Sequence, residues 1–382
     1  MKPIGPDTSS STTSGTVRRI MHVDFDYFFA QCEEIRQPEL RDRPVVVCVF
    51  SGRTEDSGVV STANYLARKF GVKSGIPVRV AKSRLSAVSG AVFLPLDAAH
   101  YSHVSEDAMA IIRSYTDTFE YVGIDECFMD VSDRADNFKV ATMLGQQIKA
   151  ELKKQIQLTC SVGVASNKML AKMASDMTKP DGLTVIDPCN VTKVIANMDV
   201  EKIPGVGPKT RDSLRELGVK TIGELAKFDL FRLIERFGKK TASHMHNAAN
   251  GKDDSPVIQF SGRQRIMRIA TLKSSVITSR EMNPDLYLLC RSVFKKASER
   301  KLSFKTVGVL LILNNLDSIT RSRSLKVHSS NFESLHSIAK SILDEMMKEA
   351  ASIKVRRLGL ALSDLRSSTG QNTMLDFIDL TD

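Results

Sequence analysis

Read for hydrophobic and polar positions, the chain changes texture several times. Residues 1–17 set almost no apolar side chains among Ser, Thr, Gly and Pro, which predicts a disordered leader. Order begins at Arg18-Arg19-Ile20-Met21-His22-Val23-Asp24, a short apolar run that fits a buried strand. Pro44 to Phe50 (PVVVCVF) forms a second such run, closed by Ser51-Gly52. A third, Glu120 to Ile124, meets Asp125-Glu126 and resumes as Cys127 to Val131, the shape of strand, tight polar turn and strand. From Val140 to Ile156 apolar residues fall at 140, 144, 148, 152 and 156, the i, i+4 ladder of an amphipathic helix. A strand over Thr159–Val164 and a helix over Asn167–Met177 follow. After the Pro180-Asp181-Gly182 break comes a strand over Leu183–Ile186.

Between Val191 and Gly251 the pattern turns to short helices separated by glycines. Lys252-Asp253-Asp254-Ser255-Pro256 is polar, charged and ended by proline, as a linker would be. Beyond it, strands are predicted over 263–270, 305–313, 318–326 and 353–362, with helices near 283–301 and 332–349. That order, β-α-β-β-α-β, describes an α+β domain with its helices on one face of a sheet. The same order fits 18–186 once residues 28–96 are treated as an insertion.

Composition adds a direction. Of 382 residues, 42% are hydrophobic and 26% charged, ordinary for globular protein, and no stretch approaches the roughly 18 apolar residues of a membrane span. The net charge is +10, and it is unevenly placed: residues 251–366 hold 21 Lys+Arg against 11 Asp+Glu, whereas 1–250 hold 33 against 30. A polyanion met chiefly by the C-terminal segment is implied. The six cysteines form no CxxC pair and read as reduced core residues, not as a disulfide frame or a zinc site.

Candidate chemistry rests on carboxylates. Asp24 follows an apolar strand and Asp125-Glu126 sit between two others; adjacent strands of one sheet would bring them together. Clustered carboxylates repel unless cations neutralise them, and hard oxygen ligands suit Mg²⁺. Asp26 and Asp130 stay open as candidates, since period-2 alternation sets Asp26 on the face of Asp24. Taken alone, acids at strand ends and in turns are commonplace.

The flanking residues are more specific. His22-Val23-Asp24-Phe25-Asp26-Tyr27-Phe28-Phe29-Ala30, Ser61-Thr62-Ala63-Asn64-Tyr65-Leu66-Ala67-Arg68, Gly123-Ile124-Asp125-Glu126, Ser161-Val162-Gly163-Val164-Ala165-Ser166-Asn167-Lys168 and Ile203-Pro204-Gly205-Val206-Gly207 occur in that order. Each resembles a motif of the Y-family, lesion-bypass DNA polymerases, most nearly the archaeal and bacterial DNA polymerase IV branch, over roughly residues 18–366. The resemblance implies a right-hand-like α+β architecture. Its parts would be a ferredoxin-like palm (18–27 and 97–186), fingers (28–96), a thumb with a helix-hairpin-helix (187–250), a linker (251–260) and a little finger (261–366), followed by a tail (367–382).

It also implies roles. Asp24, Asp125 and Glu126, with the Phe25 carbonyl, would bind two Mg²⁺ ions and be the catalytic residues. Tyr27, Phe28, Phe29, Thr62, Tyr65, Arg68 and Lys179 would meet the incoming deoxynucleoside triphosphate, Phe29 acting as a steric gate against a ribose 2′-hydroxyl. Val49, Val59 and Ser61 would roof the nascent base pair. Gly205, Gly207 and Lys209 would hold duplex backbone, and Arg321, Arg323, Arg356 and Arg357 would meet phosphates of primer-template DNA. Gln371, Met374, Phe377 and Ile378 resemble a sliding-clamp-binding peptide, with Ile378 where a second aromatic is usual. The expected protein is a monomeric, low-fidelity DNA polymerase without proofreading, cytoplasmic and nucleoid-associated, or nuclear if the source is eukaryotic. A catalytically inactive DNA-binding scaffold of the same fold is the alternative. A palm-fold nucleotide cyclase would need neither the glycine hairpin nor the basic C-terminal segment.

Overall fold

The computed structural model describes residues 17–259, 265–276, 278–349 and 354–368. The expected leader, save Val17, and the clamp-like peptide with Gln371, Met374, Phe377 and Ile378 lie outside the described residues. The described residues divide into two compact units. One takes the chain up to Val49 and from Val59 to the expected linker; the other takes Phe50–Gly58 and the residues beyond the linker. The stretch Phe50–Gly58, expected within the fingers, thus groups with the second unit, where Arg53 Nε donates to the Leu272 carbonyl (2.8 Å).

The first unit runs through β1 (Ile20–Phe25), α1 (Phe28–Arg36), β2 (Val45–Phe50), β3 (Gly58–Ala63), α2 (Tyr65–Arg68), α3 (Val78–Arg84) and β4 (Val92–Pro95). It continues with α4 (Ala98–Arg113), β5 (Thr118–Gly123), β6 (Glu126–Asp130), α5 (Phe138–Ile156), β7 (Cys160–Ala165), α6 (Lys168–Met177) and β8 (Leu183–Val185). Five of these strands form one sheet in the order β5-β6-β1-β7-β8. β1 lies antiparallel between β6 and β7, and β8 joins β7 in parallel. Without β8 this is the strand order of a ferredoxin-like sheet. β1 and β7 are buried at nearly every position, which is why both read as unbroken apolar runs. β3, β2 and β4 make a separate three-stranded sheet over its own small core.

Gly163 explains how closely α6 lies on this sheet. A Cβ there would come within 2.0 Å of the Ala171 carbonyl oxygen and 2.4 Å of the Ser175 nitrogen, so the backbones meet where any side chain would block them. Asn167 caps α6 by accepting from Leu170 N (2.9 Å). The Met169 nitrogen donates to Asp253 Oδ2 (3.0 Å), Arg18 donates to the Asp253 and Ser255 carbonyls (3.0 Å each), and Val257 is buried. The segment 252–258 that reads as a linker is therefore docked along its length, its acidic side chain serving as a helix cap.

Residues 191–249 form α7 (Val191–Ile195), α8 (Pro208–Glu216), α9 (Ile222–Lys227), α10 (Leu230–Phe237) and α11 (Lys239–Ala249). The glycine hairpin joins a single 3₁₀ turn, Val200–Lys202, to α8. Gly205 has φ +93°, a region only glycine enters freely. Gly207 is the α8 N-cap with open space where a Cβ would stand, and Lys209 is exposed in the first turn.

The second unit contains β9 (Ile266–Val276), α12 (Ser279–Glu299), β10 (Leu302–Leu313), β11 (Ser318–Ser329), α13 (Phe332–Glu349) and β12 (Val355–Ser367). The element order is the expected one, but the sheet order is β11-β10-β12-β9, all antiparallel, unlike the first unit's sheet. Val307, Val309, Leu311, Leu358, Leu360 and Leu362 pack with α12 and α13 in one core. Alternation sends Gly308, Gly359, Ala361 and Arg357 to the opposite face, which no helix of this unit covers among the described residues.

Candidate active site

The site is assembled by strand register. Asp24 pairs directly with Glu126 across β1 and β6, and the Phe25 nitrogen donates to the Asp125 carbonyl (2.8 Å). The two-residue turn Ile124-Asp125 is fixed from α4, where Ser105 Oγ donates to the Ile124 carbonyl (2.6 Å). Three carboxyl groups, two of them about a hundred residues from the third in sequence, thus stand at neighbouring strand ends. Candidate ligand atoms of His22, Asp24 and Glu126 all lie within 4.8 Å of one another; Asp125 flanks that group without being part of it. Phe25 has a hydrocarbon side chain, here buried in the core, so its backbone carbonyl is the only ligand atom it could offer.

Two lysines face the carboxylates. Lys179 Nζ lies 2.9 Å from Asp24 Oδ1 and 2.7 Å from Asp176 Oδ1, and Lys172 Nζ contacts Glu126 Oε2. His22, fully buried, sets Nε2 3.2 Å from the same Glu126 oxygen, while its Nδ1 is 2.8 Å from Ser175 Oγ. Electrostatics differ sharply among the acids. Burial raises Asp24 above the ordinary carboxylate value, opposed by Lys179; burial and then the Glu126 charge raise Asp125. Glu126 is held down at about 2, first by His22 and then, against the pull of burial, by Lys172. Burial lowers His22 despite Glu126, so the ring is neutral at neutral pH. Burial would lower Lys179 as well, but Asp24 and Asp176 outweigh it and shift the ammonium up.

The remaining candidates separate clearly. Asp26, left open by alternation, is buried and accepts from Ser161 Oγ (2.7 Å), Thr159 Oγ1 (3.0 Å) and Asp181 N (2.8 Å). It ties the turn after α6 to the sheet and has no face left for a ligand. Asp130 accepts from Ser132 N (3.0 Å) at the far end of β6. Phe29 is half-buried, its ring stacked on Tyr101 (centroids 4.7 Å apart, 21° between planes), and Tyr101 donates to Glu33 (2.8 Å). Phe28 packs into the core, so a ligand could meet only its backbone. Tyr27 donates to Glu34 (3.0 Å) and meets Tyr65 edge-on.

Arg68 stacks over the Tyr65 ring (4.8 Å) and donates to the Ala63 carbonyl (2.8 Å). Thr62 and Ser61 are partly exposed on β3 beside Val59, and Val49 is exposed on β2.

The four C-terminal arginines divide. Arg321 forms two hydrogen bonds with Glu349 (2.8 and 2.6 Å), and Arg323 bonds Glu345 (2.7 Å) and Ser341 (3.2 Å), all on α13. The register pairs them with Val309 and Val307, so both stand on the helix-covered face. Both guanidinium groups are thus paired with α13 in ion pairs that stay partly exposed. Arg357 lies on the uncovered face, and the Nε atoms of Arg356 and Arg357 are buried without a partner. Sequence reasoning missed His22, Lys172 and Ser175 as members of the site. The available signal was two polar residues, three apart, on the sheet-facing side of a helix, with Ser175 fully buried.

Comparison with known proteins decides the family. Residues 23–176 match the impB/mucB/samB family, 201–253 the thumb domain of DNA polymerase-iota, and 263–375 the impB/mucB/samB C-terminal domain. The chain is 40% identical over 361 residues to DNA polymerase IV of Nitrosopumilus maritimus, covering 94% of this chain and 99% of that one. The chain belongs to the Y-family of DNA polymerases. The DNA polymerase IV of Saccharolobus solfataricus is 36% identical over 357 residues, with 94% and 99% covered. Among solved structures, a Y-family DNA polymerase chimera of Dbh and Dpo4 superposes with TM-score 0.85 at 32% identity, over 91% of this chain and 98% of that one. An insertion ternary complex of Dbh DNA polymerase gives 0.67, also at 32% identity, over 90% and 98%. This Y-family member is a lesion-bypass, DNA-directed DNA polymerase. The acidic group at β1 and β6 suits the divalent metal on which such enzymes generally depend.

Proposed function

We propose that Asp24, Asp125 and Glu126, with the Phe25 carbonyl, hold two Mg²⁺ ions at the point where a primer 3′-hydroxyl meets a deoxynucleoside triphosphate. The single observation that carries this reading is the pairing of Asp24 with Glu126 across β1 and β6, with Asp125 at the adjoining turn. The donor set fits: hard carboxylate oxygens, two of them raised by burial, form a charge cluster that cations relieve. When bound, such ions lower the pKa of the attacking hydroxyl and balance charge on the leaving group. In the reaction the 3′-oxygen bonds to the α-phosphorus, the bond from that phosphorus to the bridging oxygen breaks, pyrophosphate leaves, and the hydroxyl proton passes to solvent.

The protein's own residues position the reactants. Arg68, Thr62, Tyr65 and Lys179 offset triphosphate charge, Arg68 pre-oriented by its stack on Tyr65. The Tyr27-Phe28 backbone lies beneath the phosphates, and Phe29, held against Tyr101, crowds a ribose 2′-hydroxyl. Val49, Val59 and Ser61 leave the base pair roomy, which suits damaged templates and limits fidelity. Primer-template DNA is gripped without base readout by the Gly205–Gly207 hairpin, Lys209, Arg356 and Arg357. Gln371, Met374, Phe377 and Ile378 tether a sliding clamp, raising the local concentration at primer ends. The enzyme works as a cytoplasmic monomer.

The test is Mg²⁺-dependent extension of a primed template. Asp125→Asn is expected to lose more than about a hundredfold in rate, and Phe29→Ala to gain ribonucleotide insertion by about a hundredfold. Wild-type rates in Asp125→Asn would remove that residue from the catalytic set.

A further inference from the structure

The least expected member of the site is a histidine with no solvent contact. His22 lies two residues before Asp24 on β1, its ring packed at 4.5 Å centroid distance from Phe128. Nδ1 lies 2.8 Å from Ser175 Oγ, and Nε2 lies 3.2 Å from Glu126 Oε2, close but not aligned as a hydrogen bond. An ionised carboxylate can only accept, so this approach is favourable when Nε2 carries the proton. In that tautomer of a neutral ring Nδ1 is an acceptor, towards which the Ser175 hydroxyl can turn its proton. The Lys172 carbonyl in α6 (2.8 Å) is the competing acceptor for that proton. In that tautomer the polarity runs from the Ser175 hydroxyl to His22 and from His22 towards Glu126.

We infer that His22 is a positioning residue for Glu126, its tautomer and ring angle set by Ser175, so that one carboxylate oxygen is held and the other is aimed at metal. This rests on the reading of Glu126 as a metal ligand. The physical logic is that of the partners behind metal ligands in general: a carboxylate pinned in one rotamer gives up no freedom when a cation arrives. Lys172 bonds the same Oε2 from α6. Two groups on a single oxygen leave Glu126 Oε1 outside the network. The close approach at Gly163 holds Ser175 within reach of β1, so the hydroxyl's position is a property of the backbone packing.

The experiment measures Mn²⁺ binding by electron paramagnetic resonance on full-length protein with primed DNA, without turnover. His22→Phe keeps the bulk and removes both polar atoms; it is expected to weaken Mn²⁺ binding about tenfold or more. His22→Gln places an amide N–H where Nε2 stood and should stay within about threefold of wild type. Ser175→Ala should fall between them. Melting temperature and metal-free DNA affinity, read in parallel, identify a variant damaged in fold, and His22→Gln then carries the comparison against Ser175→Ala. Extension assays should show the loss in His22→Phe recovered by raising Mg²⁺, which a distorted fold would not allow. Wild-type Mn²⁺ binding by His22→Phe, or equal losses in His22→Gln and His22→Phe, would overturn the inference. Glu126→Gln is run beside them: if it binds Mn²⁺ as wild type does, the ligand reading itself fails, and the positioning role with it.

Discussion

At the scale of single residues, the acids of the site are not equivalent. Glu126 has partners that hold it ionised, whereas Asp125 is half-buried with a like charge beside it. A carboxyl that binds its proton more tightly folded than unfolded makes the fold less stable as pH rises through its raised range. Below the ordinary value of 3.8 both states are protonated and the penalty is absent; at pH 7 it is fully present. Asp125→Asn is therefore expected to melt higher than wild type in EDTA at pH 7, the difference closing as pH approaches 3. Thermal melts across that range check it; a lower melting point at pH 7 would mean the residue is stabilising without metal. Asp24, Asp125 and Glu126 are legible in the sequence because the flanking motif turns a strand-end acid and an acidic turn, ordinary by themselves, into a ligand set. Asp26 is ambiguous there, since alternation stops working where a strand ends: β1 finishes at Phe25, and the next side chain turns inward.

At the scale of elements, the site depends on one intimate contact between β7 and α6. Gly163→Ala would force a Cβ into backbone atoms of Ala171 and Ser175, which cannot rotate away. A cost of about 1–3 kcal/mol or more is expected, seen as a lower urea midpoint, and the displaced α6 should weaken metal binding as well. Unchanged stability would mean the helix can slide freely. The strands of both sheets are readable because buried strands are nearly continuous apolar runs. α4 escapes such a reading, because its buried stripe includes Ser105 and Ala108 beside Tyr101, Met109 and Ile112. α12 starts earlier than its apolar pattern suggests: Thr278 accepts from Glu281 N, and the helix continues through Pro284. Strand order in the second unit is out of reach of pattern alone, since identical element orders produce two different sheets.

At the scale of the whole molecule, charge and its placement govern the encounter with DNA. Arg321 and Arg323 are exposed and basic, which is all a sequence shows; only the register reveals that α13 has claimed them. Arg357→Ala should lower affinity for primed DNA and reduce the slope of log affinity against log salt by about one. Arg321→Ala and Arg323→Ala should leave that slope nearly unchanged. Fluorescence anisotropy from low to moderate salt measures all three, and equal slopes for the three variants would return Arg321 and Arg323 to the DNA face.

The uncovered sheet of the second unit has a consequence of its own. Its middle is glycine and alanine, Gly308, Gly359 and Ala361, with Ser322 beside them. Leu310 and Ile269 lie over Gly359 there, so among the described residues the middle of that face carries no long hydrogen-bonding side chain with which to interrogate bases. A tool built that way has no preferred address in a genome: it works wherever it is brought, and the decision about when and where must be made by whatever brings it.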